Sequence, residues 1–141
     1  MPNEPERAEI DRDVCHLVHR FAHRLDVHVR RIAEELEMTA SQVVALRELS
    51  EPITARELAT RMACEASNAT FVVDRLEDQG FVRRHPHPTD RRAKQIVLTD
   101  PGRARRAEVL ALLDARSPLT SLPADRQQQL RDLLQALVGE D

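Results

Sequence analysis

Tryptophan and tyrosine are absent from this 141-residue chain, and phenylalanine occurs only three times. A core with so few aromatic rings must be packed mostly from Leu, Val, Ile and Ala, which leans towards helices over a β-sandwich. Glycine also occurs only three times. That excludes a fold of many tight turns and most glycine-rich phosphate loops. No Gly-x-Ser-x-Gly elbow and no metal-protease motif occurs, so no enzyme class is indicated and no cofactor is expected. No apolar run approaches the roughly 20 residues of a membrane span. The polar, acidic stretch from Met1 to Asp13 is unlike a secretion signal. The expected location is the cytoplasm, with Cys15 and Cys64 as reduced thiols and no membrane partner.

Lysine is almost missing too: Lys94 stands alone beside twenty arginines among the 21 basic residues. The net charge is −3, which is weak support for a polyanionic partner. Its distribution says more. From Arg83 to Arg106 seven Arg and one Lys face two Asp, a net of +6, so the remainder carries −9. A basic surface on an acidic body is the footprint of a nucleic-acid site, although an arginine-rich composition alone also produces charged solvated faces. With 41% apolar and 32% charged residues, the chain reads as one globular unit over 1–141.

The first helix is expected from about Ala8 to Glu37, where Ile10, Val14, Leu17, Phe21, Leu25, Ile32 and Leu36 form one apolar stripe. A helix this long overhangs a small domain and buries its stripe against a partner. Thr39 and Gln42 make a capping box for a second helix carrying Val43, Val44, Leu46 and Leu49, ended at Ser50-Glu51-Pro52. Thr54 and Glu57 make another, for a short third helix to about Met62. After a break near 63–65, a fourth helix runs from about Ala66 to Gln79 and stops at Gly80. The period then changes. Residues 81–85 and 95–98 read as strands of a two-stranded hairpin with a basic tip, its prolines Pro86 and Pro88 lying outside the ladder. Thr99 caps a fifth helix from about Pro101 to Arg116. After a break at 117–123, a sixth helix covers about Ala124 to Val138 with Leu130, Leu133, Leu134 and Leu137.

Two short helices joined by a tight break, then a basic hairpin, describe a winged helix-turn-helix. The second helix of such a pair lies in the major groove, where base edges carry a readable code. An arginine-tipped hairpin reaches the minor groove, and the basic flank neutralises phosphates.

The residues also carry a family resemblance. Glu57-Leu58-Ala59, the run from Asp74 to Val82, the wing from Pro88 to Ala93, and Leu98-Thr99-Asp100-Pro101-Gly102 together resemble the MarR family of transcription regulators over nearly the whole chain. The resemblance implies a mainly α fold with a two-stranded β-wing. Helices in 8–37 and 100–138 would join a homodimer, and 39–99 would form the winged lobe. It implies binding to a pseudo-palindromic operator in double-stranded DNA, with a small effector or oxidant modulating it, as in a repressor. By position, Arg92 is the wing arginine, Asp90 orients it by a charge-assisted hydrogen bond, and Arg91 and Lys94 lie near phosphates. Ser67, Asn68 and Thr70 meet base edges, with Arg75 beyond them on the same helix. Thr54 and Arg56, at the start of the third helix, contact phosphate through free N–H groups there. Ala66 and Phe71 depart from the pattern, standing where the family often has basic residues.

His16, His19 and His23 fall within about 60° on a helical wheel, opposite the apolar stripe. His19 and His23 have i, i+4 metal spacing with Cys15 nearby, which fits a metal or pH sensor. The same pattern fits a polar face meeting solvent or a second subunit, and no carboxylate cluster completes a metal site. A peroxide-sensing branch of the resembled family places a reactive Cys where Cys15 stands. There tyrosines activate the thiolate, and this chain has none. Cys64, in the helix-turn-helix turn, reads as a core contact.

Overall fold

The computed structural model describes residues 1–139. Its elements run α1 (Glu4–Leu36), α2 (Ala40–Glu48), β1 (Ile53–Thr54), α3 (Ala55–Met62), α4 (Ala66–Asp78), β2 (Val82–Pro86), β3 (Lys94–Leu98), α5 (Asp100–Ala115), a 3-10 turn (Pro118–Ser121) and α6 (Ala124–Val138). The architecture is the expected mainly helical one with a small antiparallel sheet.

Three helices open on capping boxes. Thr39 with Gln42 starts α2 and Thr54 with Glu57 starts α3, as the sequence pattern indicates. The third was not anticipated: Asn3 accepts from the Glu6 amide at 3.0 Å, and Glu6 reaches back to the Asn3 amide. That box starts α1 at Glu4, four residues before the expected Ala8. Three helices also close alike. The amides of Met38, Cys64 and Phe81 reach back to the carbonyls of Ala33, Ala59 and Leu76 at 2.8, 3.0 and 2.9 Å. The residue before each takes positive φ, 55° at Glu37, 54° at Ala63 and 82° at Gly80. This is the left-handed closure in which the residue beyond the cap packs back on the helix. It accounts for Cys64, which is half-buried.

The sheet has three strands, in the order β1–β3–β2, rather than the two expected. Two-residue β1 pairs Ile53 with Ile96 and is too short to show alternation in sequence. Pro86 also corrects the expectation, because it pairs with Lys94 inside the ladder. An edge strand such as β2 tolerates proline, whose missing N–H can face away from its neighbour.

The core gathers Ile32 of α1, Val43 and Leu46 of α2, Leu58 of α3, Val72, Val73 and Leu76 of α4, Val82 and Ile96 of the sheet, and Val109 of α5. Buried Gln42 joins α2 to the end of α4, donating from Nε2 to Gln79 Oε1 at 3.0 Å. Arg106 of α5 donates to the Leu46 and Arg47 carbonyls at 2.8 and 3.1 Å, placing a cation at the C-terminal end of α2. The α1 stripe divides: Ile32 is buried, whereas Ile10, Val14, Leu17 and Leu25 are exposed. No residue of α6 is buried.

Candidate nucleic-acid interface

Ala69, Val72, Val73 and Leu76 bury one side of α4. That choice turns Ser67, Asn68, Thr70, Phe71, Asp74 and Arg75 outwards, and all six are exposed. Ser67, Asn68, Thr70 and Arg75 thus all lie on the solvent side of α4. Thr70 Oγ1 already donates to the Ala66 carbonyl at 3.0 Å, leaving its lone pairs as acceptors outward. The Arg75 guanidinium stacks over the Phe71 ring, 5.3 Å from its centroid.

Residues 87–93 form the wing tip. The Asp90 and Thr89 amides donate to His87 Nδ1 at 3.0 and 3.2 Å. The loop closes through the His87 amide on the Ala93 carbonyl at 3.1 Å. Asp90 Oδ1 accepts from the backbone amide of Arg92 at 3.0 Å. This corrects the expected role: Asp90 fixes the backbone from which Arg92 projects and does not hold the guanidinium. Among the described residues, the charged groups of Arg83, Arg91, Arg92 and Lys94 have no ion-pair partner. All four side chains are exposed.

At the start of α3, Thr54 Oγ1 accepts from the Glu57 amide at 3.1 Å, and the Thr54 amide donates to Glu57 Oε2 at 3.2 Å. The capping box therefore occupies two of the amides expected to be free for phosphate, and half-buried Thr54 acts first as a cap. Arg56 is exposed.

The sequence reading missed Arg84. Its guanidinium reaches Asp74 at 2.6 Å and Glu77 at 2.8 Å, tying β2 to α4. It also offsets part of the negative charge that Asp74 and Glu77 put on α4. Asp74 and Glu77 share a face of α4 at i, i+3, but only the return of β2 brings Arg84 to them.

Cys15, His16 and His19 are exposed on the first half of α1. His23 belongs elsewhere, lining a cleft with Arg24, His28 and Arg31 against the 3-10 turn. Among the described residues no group of three or more His, Cys, Asp or Glu could hold a metal ion. No helix among the described residues is long and apolar enough to cross a membrane. A second cleft of about 540 Å³ separates α1 and α2 from α4, lined by Val29, Arg30, Val44, Met62, Asn68 and Phe71 among others.

A helix pair with a tight turn, a polar outer face on its second helix and a hairpin of unpaired cations together define a winged helix-turn-helix protein. The chain belongs to the MarR family. The family's sequence profile matches residues 38–94, the helix-turn-helix and wing. An HTH-type transcriptional regulator of Mycobacterium leprae is 31% identical over 86% of this chain and 94% of its own length. CouR of Rhodococcus jostii, solved with p-coumaroyl-CoA, superposes with a TM-score of 0.79 at 28% identity, covering 92% of this chain and 94% of that one. A cysteine-to-serine mutant of Escherichia coli MarR, solved with operator DNA, gives 0.71 at 28% identity, covering 90% and 94%. These relatives are transcriptional regulators, not enzymes, and so is this chain.

Proposed function

We propose that the chain is a homodimeric, sequence-specific repressor that occludes a pseudo-palindromic operator and is released by a small effector. The observation that carries this is the wing, where Arg91, Arg92 and Lys94 stand exposed without ion-pair partners among the described residues. An unpaired guanidinium on a hairpin tip gains most in a narrow minor groove, where the potential is most negative. Alongside it α4 offers Asn68, which can pair bidentately with adenine, and Ser67 and Thr70 as further base contacts. Arg56 and Arg75 supply phosphate contacts. The DNA-bound structure of the Escherichia coli relative supports this use of the fold.

Dimerisation is supported by apolar surface that one subunit leaves open. Leu17 is 58% exposed, Leu133 65% and Leu137 76%. Val14, Leu17, Leu25 and Leu134 line one apolar cleft between α1 and α6, and Leu133 and Leu137 add exposed apolar surface on α6, of the kind that marks an interface. Two-fold pairing through α1, α5 and α6 would set the two α4 helices roughly 34–36 Å apart, one turn of duplex.

The cleft between α1, α2 and α4 supports the effector step. Its volume suits a small molecule. Its walls belong both to a dimerisation helix and to the DNA-facing helix, so an occupant would change their separation. The coupling required is typically ~1–3 kcal/mol. The p-coumaroyl-CoA complex of CouR, a relative of the same fold, supports a small-molecule ligand.

The test is DNA binding by Arg92→Ala. It should abolish or strongly weaken operator binding while the dimer stays intact. Wild-type affinity in that variant would overturn the wing assignment. Lys94→Ala should weaken binding nearly uniformly across sequences and lower the salt slope by about one.

A further inference from the structure

Phe71 lies outside the core, at the mouth of the cleft that α4 makes with α1 and α2. It is 61% exposed, the most exposed of the three phenylalanines, on a helix whose opposite side is fully packed. At 100° per residue it lies within about 60° of Ser67 and Asp74, on the outermost line of α4. The Arg75 guanidinium lies over one face, 5.3 Å from the ring centroid. The ring thus keeps most of its surface open to solvent, although it borders the cleft, on the element that the DNA-binding reading puts into the major groove.

We infer that Phe71 reads the 5-methyl group of thymine, so that each half-site is selected at one A·T pair by apolar contact rather than by hydrogen bonding. The major groove presents one apolar feature, the thymine methyl, and phenylalanine is among the side chains suited to it. The choice fits the rest of the surface. Asn68, one turn earlier on the same helix, has the two-headed amide that matches adenine. The α4 surface before Arg75 carries no cation, so it lacks the side chain that most often selects guanine. An aromatic and an amide side by side favour an A/T-rich core to each half-site. Arg75, stacked on the ring, is then aimed at the phosphate flanking the contacted thymine.

The inference rests on the DNA-binding reading, and one experiment separates the two. Duplexes would be selected from a random pool with the wild-type dimer. Each thymine of the selected sequence would then be replaced in turn by deoxyuridine, which removes only the methyl group. One thymine in each half-site should prove sensitive, with affinity falling about fourfold per methyl removed. Phe71→Ala should bind the thymine and uracil duplexes equally, and Phe71→Leu should restore part of the discrimination. Because the side chain is exposed, both variants should unfold at the wild-type temperature. Selective binding that ignores every thymine-to-uracil change, or a preference that persists in Phe71→Ala, overturns the inference and leaves the DNA reading standing. Failure of the wild type to enrich any duplex overturns both.

Discussion

Gly102 has no side chain, and Phe81 leaves room for none. A Cβ there would overlap the Phe81 carbonyl oxygen, so backbone would have to move. The family-like Leu-Thr-x-x-Gly sequence is therefore a packing requirement where α5 starts against β2. Gly102→Ala should lower unfolding stability by about 2 kcal/mol or more, read from denaturant midpoints. Ala63 presents the opposite case. It takes φ of 54° at the close of α3, a conformation that costs an L-residue energy. Ala63→Gly should stabilise the fold by about 0.5–1 kcal/mol after the looser unfolded chain is counted. An unchanged melting temperature there would mean the turn is relaxed by its neighbours.

The elements were legible wherever a side chain announces an end. Thr39, Thr54, Thr99 and Gly80 mark four boundaries, and each is found where its chemistry puts it. Asn3 was missed because the first turn of α1 has no apolar residue to mark a helix face. β1 was missed because two residues cannot show a period. Within the candidate site, the basic hairpin followed from the sequence pattern, and the particular α4 and wing residues from the family resemblance. The partners of Asp90 and Arg84 did not, because they depend on where the backbone returns and not on residue type. Arg84 gives the clearest test at this scale. Its acidic partners are exposed, so Arg84→Met should cost at most about 1 kcal/mol of stability. Its effect on DNA affinity should be larger, because Asp74 and Glu77 would then face phosphates uncompensated. Neutralising both acids in the same variant should recover much of the binding.

For the whole molecule, one chain leaves much of the apolar surface of α1 and α6 uncovered. The core holds the winged lobe, the last third of α1 and most of α5, while α6 buries nothing and the first half of α1 stands bare. Under the proposed dimer, Leu133→Glu with Leu137→Glu should shift the protein to monomer in light scattering. Operator affinity should fall with it, while the short helices of the lobe keep their circular dichroism signal. A variant that stays dimeric would place the subunit contact elsewhere.

Thr99 couples these scales. Its hydroxyl donates to the Gly80 carbonyl at 2.6 Å and accepts from the Gly102 amide at 3.1 Å, while its own amide reaches the Phe81 carbonyl at 3.0 Å. One residue thereby rivets the tail of α4, the root of the wing and the head of α5 at a common joint. Nothing at that joint can slip without breaking several bonds together. A tilt of α5 would carry the exposed surface of α4 and the hairpin with it as one crank, so under the proposed function a signal arriving through the helical stem would reach both grooves in step.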